Sequence, residues 1–298
     1  MMYHTPALLA ESVEGLNIRP DGVYVDVTFG GGGHSREIIE RLTTGRLIAL
    51  DQDADALANA PDDERLIVER GNFRFLRNYL AHHGYRKVDG ILADLGVSSH
   101  HFDDAGRGFS FRYNDAPLDM RMNTAAQLTA KAVVNQYPED SLVSIFADYG
   151  ELPNASHLAR QIVTTRRVAA IHSSGQLIAA IGQCIPRGAE NKYLAKLYQS
   201  LRIEVNNELE NLKSLLMQSV HLLQQGGRLV VITYHSLEDR LVKNFFKNGM
   251  FEGNAEKDIY GNVDVPFRQA NKVIMPTDAE IAVNNRVRSA KLRIGERN

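Results

Sequence analysis

Four consecutive glycines, Gly30-Gly31-Gly32-Gly33, lie between a β-branched run at 23–28 and a helical stretch at 35–42. No other feature of the chain restricts its fold as tightly. A glycine loop joining strand to helix lets the backbone take positive φ and approach a ligand with no Cβ in the way. The ligand then lies at the positive end of the following helix. In open α/β sheets this crevice, outside the carboxyl ends of the strands, is where nucleotides bind.

The surrounding pattern agrees with such a sheet. Residues 46–50, 66–69 and 88–92 read as further strands, with a helix near 54–60. This alternation predicts an α/β fold with a doubly wound, mostly parallel sheet and right-handed crossovers. Between 103 and 122 it breaks into Gly, Asp, Pro and Arg, too irregular for a helix and long for a plain connection. Helical signals follow: a stretch opened by Pro138 and closed by Gly150, one capped by Asn154, and one capped by Ser174 that ends before Pro186. Leu194, Leu197, Leu201, Val205, Leu209, Leu212, Leu216 and Val220 recur every three or four residues. They predict one long amphipathic helix or two abutting ones, ended by Gly226-Gly227. Strand-like 228–233 resumes the alternation, and 272–275 with 289–294 would close the sheet edge as a hairpin-like pair. The expected division is 1–110 and 201–298 as two parts of one domain, with 111–200 as a helical insert.

Composition narrows the chemistry. One cysteine, Cys184, excludes an intramolecular disulfide and a thiolate zinc cluster, and fits a reducing cytoplasm. The ten histidines form no convincing helical ligand pair, so no metal is expected. The start of the chain lacks the basic, then apolar pattern of a signal peptide, and no run reaches the ~18 apolar residues of a membrane span. With a formal charge of −2, any nucleic-acid contact must come from a local basic patch.

Asp51 follows the second strand and can accept from the ribose hydroxyls of an adenosine moiety. NAD and S-adenosylmethionine sites share that logic. Two details favour the methyl donor. The Gly-x-Gly-x-x-Gly spacing fails, because Gly30-x-Gly32 leads to Ser35 and Gly31-x-Gly33 to Arg36. Asp26, four positions before Gly30, instead gives the acid, three residues, Gly-x-Gly order of methyltransferases. Phe73, after the third strand, either offers a face to adenine or packs in the core; both readings stand.

Asp94 ends the fourth strand, whose tip in this fold faces the reacting methyl group. Amine-directed methyltransferases carry Asp or Asn there, followed by Pro-Pro-aromatic; here Leu95-Gly96-Val97 replaces the prolines. Transfer to an exocyclic amine needs the nitrogen held close and aligned. An acceptor on its hydrogen helps the lone pair localise. Asp94 is the candidate acceptor; the alternative is a helix cap. His235, after the fifth strand, would orient a base, relay a proton, or cap the next helix.

At this point the chain resembles the RsmH (MraW) family. The likeness lies in Thr28-Phe29-Gly30 through His34, Asp94-Leu95-Gly96-Val97-Ser98-Ser99, Arg107-Gly108-Phe109-Ser110-Phe111, Pro117-Leu118-Asp119-Met120-Arg121-Met122, Leu201-Arg202-Ile203-Glu204-Val205-Asn206 and Tyr234-His235-Ser236-Leu237-Glu238-Asp239-Arg240. It runs from His4-Thr5-Pro6 to Arg288-Ser289-Ala290-Lys291-Leu292-Arg293. The resemblance implies a class I (Rossmann-like) S-adenosylmethionine-dependent methyltransferase with a helical substrate-recognition insert. The implied reaction methylates N4 of a cytidine in the decoding region of small-subunit (16S) rRNA. It also implies donor contacts at Gly32, Gly33, His34, Asp51, Phe73 and Asp94, to which the glycine loop itself adds Gly30. His101 stands at a further implied donor contact, where the family usually has glutamine and histidine can still hydrogen-bond, and Asn191-Lys192-Tyr193-Leu194-Ala195-Lys196 departs from its common His-Pro-Ala-Thr form.

An RNA substrate would have to present an unpaired or extruded base. Phe102, Phe109, Phe111 and Tyr113 are candidates to stack it, and Arg107, Arg112, Arg121, Arg160, Arg166 and Arg167 to grip phosphates. Arg286, Arg288, Lys291, Arg293 and Arg297 form a last basic cluster. The near-neutral charge favours an assembled small subunit over naked rRNA as substrate. A monomer and a homodimer are equally compatible with the sequence. The competing readings are a methyltransferase of the same fold acting on another RNA or a protein, a non-catalytic ribosome-assembly factor, and a nicotinamide dehydrogenase.

Overall fold

The computed structural model describes residues 6–253, 255 and 264–298. His4 and Thr5, at the start of the resembling span, lie outside them. The chain divides into two compact units: residues up to Gly96 together with Leu209–Asn298, and Val97–Glu208.

The first unit begins with α1 (Leu9–Gly15), then β1 (Val23–Asp26), α2 (Gly33–Arg41), β2 (Arg46–Asp51), α3 (Ala54–Leu57) and β3 (Leu66–Arg70). α4 (Leu76–His82) and β4 (Val88–Asp94) complete its first stretch. The sheet order is β3-β2-β1-β4, continued by three strands from the end of the chain. Pairing through β4 is parallel, as the βαβ alternation requires. Alternate residues face opposite layers: Val25, Ile91 and Ala93 join one core, Tyr24 and Leu92 the other. Both faces are therefore covered, which explains why these strands read as nearly continuous apolar runs.

The second unit is helical. It holds α5 (Ser99–Asp103), α6 (Ala130–Gln136), α7 (Glu139–Ser144), α8 (Ala155–Val168), α9 (Ser174–Ala180) and α10 (Glu190–Asn206). Its own core gathers Phe146, Leu158, Ile162, Leu177, Leu197 and Leu201. It spans 97–208, wider than the expected 111–200, because the irregular loop contributes buried Phe109, Leu118 and Met120. The helix after Pro138 changes to a π-helix at Ile145–Tyr149 before Gly150. The cap of α9 is Ser173, not Ser174: its side chain accepts from the Gln176 amide. Asn154 precedes α8 without a side-chain cap bond, donating instead to the Cys184 carbonyl oxygen and accepting from the Tyr193 hydroxyl.

α11 (Glu208–Leu222) is the second of two abutting helices, separated from α10 by Asn207 in the left-handed region at φ 52°. It ends before the glycine pair. β5 (Leu223–Thr233) pairs Leu223 with Val88, bulges, and resumes at Arg228 opposite Gly90. α12 (Ser236–Asn248), β6 (Phe267–Gln269), α13 (Asp278–Val283) and β7 (Lys291–Arg297) follow. β5-β7-β6 closes the seven-stranded sheet, with β7 antiparallel to both neighbours. This is the class I methyltransferase arrangement. The expected strand at 272–275 is only a single bridge, Ile274 to Leu292; the true partner of β7 is β6. Among the described residues, no helix is long and apolar enough to cross a membrane.

Candidate active site

The strand order reverses between β1 and β4, so the crevice opens at their carboxyl tips. Three aspartates end three strands there: Asp26 on β1, Asp51 on β2 and Asp94 on β4. Each is tied to the loop around it. Asp26 accepts from the Thr28 amide (3.1 Å) and the Ser35 hydroxyl (2.7 Å), which joins the strand tip to the first turn of α2. Burial raises its carboxyl to about 6, against the pull of those bonds. Asp51 accepts from the amides of Gly30 (2.8 Å) and Asp53 (2.9 Å). The Asp94 amide donates to Thr28 Oγ1 (2.6 Å).

Gly32 caps α2 at φ 75°, where a Cβ would meet the Phe29 ring at 2.7 Å. Glycine is required at this turn. His34, in the first turn of α2, is buried, with Nε2 3.1 Å from the Ala7 carbonyl oxygen. Burial lowers its pKa to about 4, so the ring is neutral near pH 7.

Asp94 faces His34: Oδ2 lies 3.9 Å from His34 Nδ1. Its other oxygen, Oδ1, accepts a 2.8 Å bond from the Tyr234 hydroxyl, just beyond β5. Burial, together with the charges of Asp26 and Glu238, raises Asp94 to about 7, and the Tyr234 bond opposes that shift. Tyr234 itself is pushed well above the ordinary phenol range by burial and by Asp94, so its hydroxyl stays protonated. In the sequence Tyr234 stands out only by its place one residue beyond the fifth strand and beside His235, with no role of its own.

Gly30, Gly32, Gly33, His34, Asp51 and Asp94 are thus gathered at the carboxyl end of the sheet. Phe73 follows β3 and is half-buried against the sheet core. His235 is the N-cap residue of α12, whose Glu238 carboxylate accepts from the amides of Tyr234 (2.9 Å) and His235 (3.4 Å). That is helix-start geometry. His101 belongs to the helical unit, buried with its ring 4.9 Å from Phe109 and Nδ1 3.2 Å from Ser98 Oγ.

Several candidates for RNA contact are committed inside the protein. Buried Arg107 donates to the Arg121 and Met122 carbonyl oxygens, and Arg121 pairs with Asp119. Arg166 holds the carbonyls of Val134 and Tyr137. Arg293 pairs with Asp239, and Arg297 donates to the carbonyls of Val220 and Pro266. Phe109 is core, while Phe111 packs edge-on against Tyr198 at 5.5 Å. Arg112, Tyr113, Arg160, Arg167, Arg286 and Arg288 are exposed.

The family model for MraW methylases matches residues 1–298. The chain belongs to the MraW methylase family. Ribosomal RNA small subunit methyltransferase H of Flavobacterium johnsoniae is 56% identical over 298 residues, covering 100% of this chain and 98% of that one. The enzyme of the same name from Cytophaga hutchinsonii is 56% identical, covering 99% and 100%. That of Bacteroides thetaiotaomicron is 56% identical over 299 residues, covering 100% and 98%. The methylase is an S-adenosylmethionine-dependent enzyme. The residues of the crevice suit that donor. Asp51 is a carboxylate, a group that can accept from ribose hydroxyls. The acidic tips and the neutral His34 place no cation against a sulfonium.

Proposed function

We propose that this chain methylates N4 of a cytidine in the decoding region of 16S rRNA, within the small ribosomal subunit in the cytoplasm. The observation that carries this reading is Asp94, a carboxylate at the β4 tip with one oxygen held by Tyr234. The names and 53–56% identity of whole-length relatives support the rRNA assignment.

When bound, S-adenosylmethionine supplies an electrophilic sulfonium methyl. Gly30, Gly32, Gly33, His34, Asp51 and Phe73 form the donor's cradle, with Asp51 taking the ribose hydroxyls. Asp94 accepts a hydrogen of the cytosine amine, which aligns the nitrogen and localises its lone pair as positive charge develops. Neutral His34 leaves that carboxylate unpaired with any positive charge of its own. His235 acts by starting α12 and so fixing the chain beside Tyr234. The helical unit at 97–208 recognises the RNA, with Arg112, Arg160 and Arg167 meeting phosphates.

The test is transfer from labelled donor to small subunits, naked 16S rRNA and total protein, followed by mapping of methylated cytidines. Label at N4 of one decoding-region cytidine is expected, strongest with subunits. Label on protein, or at another base, would overturn the assignment. Asp94→Ala is expected to abolish transfer while RNA binding persists.

A further inference from the structure

We propose that Tyr234 is a positioning residue for methyl transfer, its hydroxyl holding Asp94 with one oxygen engaged and the other left to accept from the amine. The inference rests on the amine-directed reading above and assigns work to a residue outside the glycine loop and the strand-tip acids.

Three observations carry it. The Tyr234 hydroxyl donates to Asp94 Oδ1 at 2.8 Å, while Oδ2 faces His34 Nδ1 at 3.9 Å, outside hydrogen-bond distance. The ring is fixed on two sides. Its backbone amide is held by Glu238 at 2.9 Å, and its edge lies over Gly96, where a Cβ would stand 3.4 Å from Cδ2. Gly96 has φ 98°, a conformation closed to other residues without strain, so β4 turns away directly beneath the ring.

The charges around the pair give the hydroxyl its importance. Asp26 from β1 and Glu238 from α12 disfavour an ionised Asp94, and His34 from α2 brings no positive charge. Burial and Asp94, with smaller contributions from Glu238 and from Glu280 of α13, keep the Tyr234 phenol protonated. Among the described residues, the Tyr234 hydroxyl is the side-chain group that favours the Asp94 carboxylate. A donor to the charged form lowers a carboxyl pKa; removing it raises that pKa. Tyr234 thereby lowers the pH at which the acceptor ionises and fixes which oxygen is presented.

Tyr234→Phe keeps the ring over Gly96 and deletes only the hydroxyl. The experiment measures kcat and KM on small subunits from pH 5.5 to 9, S-adenosylhomocysteine affinity by calorimetry, and the Asp94 carboxyl titration by difference infrared spectroscopy against Asp94→Asn. We expect the acid limb and the infrared midpoint to rise together by roughly one pH unit. At pH 7, kcat should fall about fivefold with KM for the subunit unchanged, and recover almost fully at pH 9. S-adenosylhomocysteine affinity should stay within about twofold. An infrared midpoint equal to wild type, or a loss of rate that is the same at every pH, would overturn the proposal. A wild-type protein without transfer activity would refute the functional reading instead, and the infrared shift would still decide whether Tyr234 governs Asp94.

Discussion

His34 Nε2 meets the carbonyl oxygen of Ala7 at 3.1 Å, and its other ring nitrogen, Nδ1, lies 3.9 Å from Asp94 Oδ2. A carbonyl oxygen only accepts, so Nε2 carries the proton and Nδ1 presents a lone pair. Two acceptors therefore face each other across the tip of β4. The arrangement suits a group that brings its own hydrogens, as an amine does.

If Asp94 accepts from the amine as proposed, its carboxyl sets the acid limb of the reaction. Its carboxyl lies near 7 and His34 near 4. As pH falls through 7, Asp94 gains a proton and ceases to accept; His34 stays neutral until about 4. The value of kcat/KM should therefore drop about tenfold per unit below pH 7. His34→Gln should leave the position of that limb unchanged. A profile flat from pH 5.5 to 8 would remove Asp94 from the chemistry.

The same shift has a cost in stability. Asp94, raised from 3.8 to about 7, binds a proton in the folded chain that the unfolded chain has released. Its contribution to stability is full below about 3.8 and lost as pH rises through 7. Asp26, raised to about 6, acts in the same sense, while His34, lowered from 6.5, works oppositely between about 4 and 6.5. Asp94→Asn cannot ionise, yet its amide oxygen can still accept from Tyr234. It should be more stable than wild type at pH 8 by roughly 1–3 kcal/mol, with the difference vanishing near pH 4. Urea denaturation at both pH values measures this, and equal midpoints at pH 8 would contradict it.

A second electrostatic element is structural. Arg293 Nε donates to Asp239 Oδ1 at 2.7 Å, with side chains only 10% and 12% exposed, and Lys291 reaches the other carboxylate oxygen at 3.2 Å. The pair ties α12 to β7. Arg293→Met strands a largely buried carboxylate and should cost about 3 kcal/mol in denaturant unfolding. The deficit should shrink as pH falls through the carboxylate range, since Asp239, held below its usual range by these partners, would lose most of that hold and take up a proton more readily. A cost below about 1 kcal/mol would show the pair to be ornamental.

The arginines of the irregular loop separate into two kinds. Arg107 is buried against backbone carbonyls, so Arg107→Met should lower the melting temperature of the chain by several degrees. Arg112 is exposed. Arg112→Ala should leave melting unchanged and reduce the slope of log K against log salt by about 0.7–0.9 for RNA binding. Opposite outcomes for the two variants would reverse their roles.

The turn at Gly32 offers a direct probe of the cradle. A Cβ there meets the Phe29 ring at 2.7 Å, and φ 75° strains any side chain. Gly32→Ala should weaken S-adenosylhomocysteine binding by about tenfold or more, at a stability cost of about 1–2 kcal/mol. Unchanged affinity would place the donor elsewhere.

Much of this protein was legible in the chain because its signals are local. The glycine run between strand and helix, the acids at 26, 51 and 94, and the apolar β-branched runs depend on neighbours only a few residues away, and they led to the sheet and its crevice. Errors arose where long-range packing decides. The edge strand at 267–269 has little apolar pattern of its own, and pairing with β7 selects it over 272–275. The helical unit reaches back to Val97 because Phe109, Leu118 and Met120 are drawn into its core from a stretch with no periodicity.

Arginine patterning misled for a related reason. A guanidinium reads the same in a sequence whether it meets a phosphate or a backbone carbonyl, and only the fold brings the Arg121 and Met122 carbonyls to Arg107. The partnership of Asp94 with Tyr234 is the clearest case, since 140 residues separate them. By itself, the sequence determined the class of sheet and the place of the glycine loop and of the acids at 26, 51 and 94 at the strand tips, because short-range chain geometry sets these. Which hydroxyl steadies Asp94, and at what pH it ionises, was decided by tertiary structure alone, through burial and the approach of distant groups.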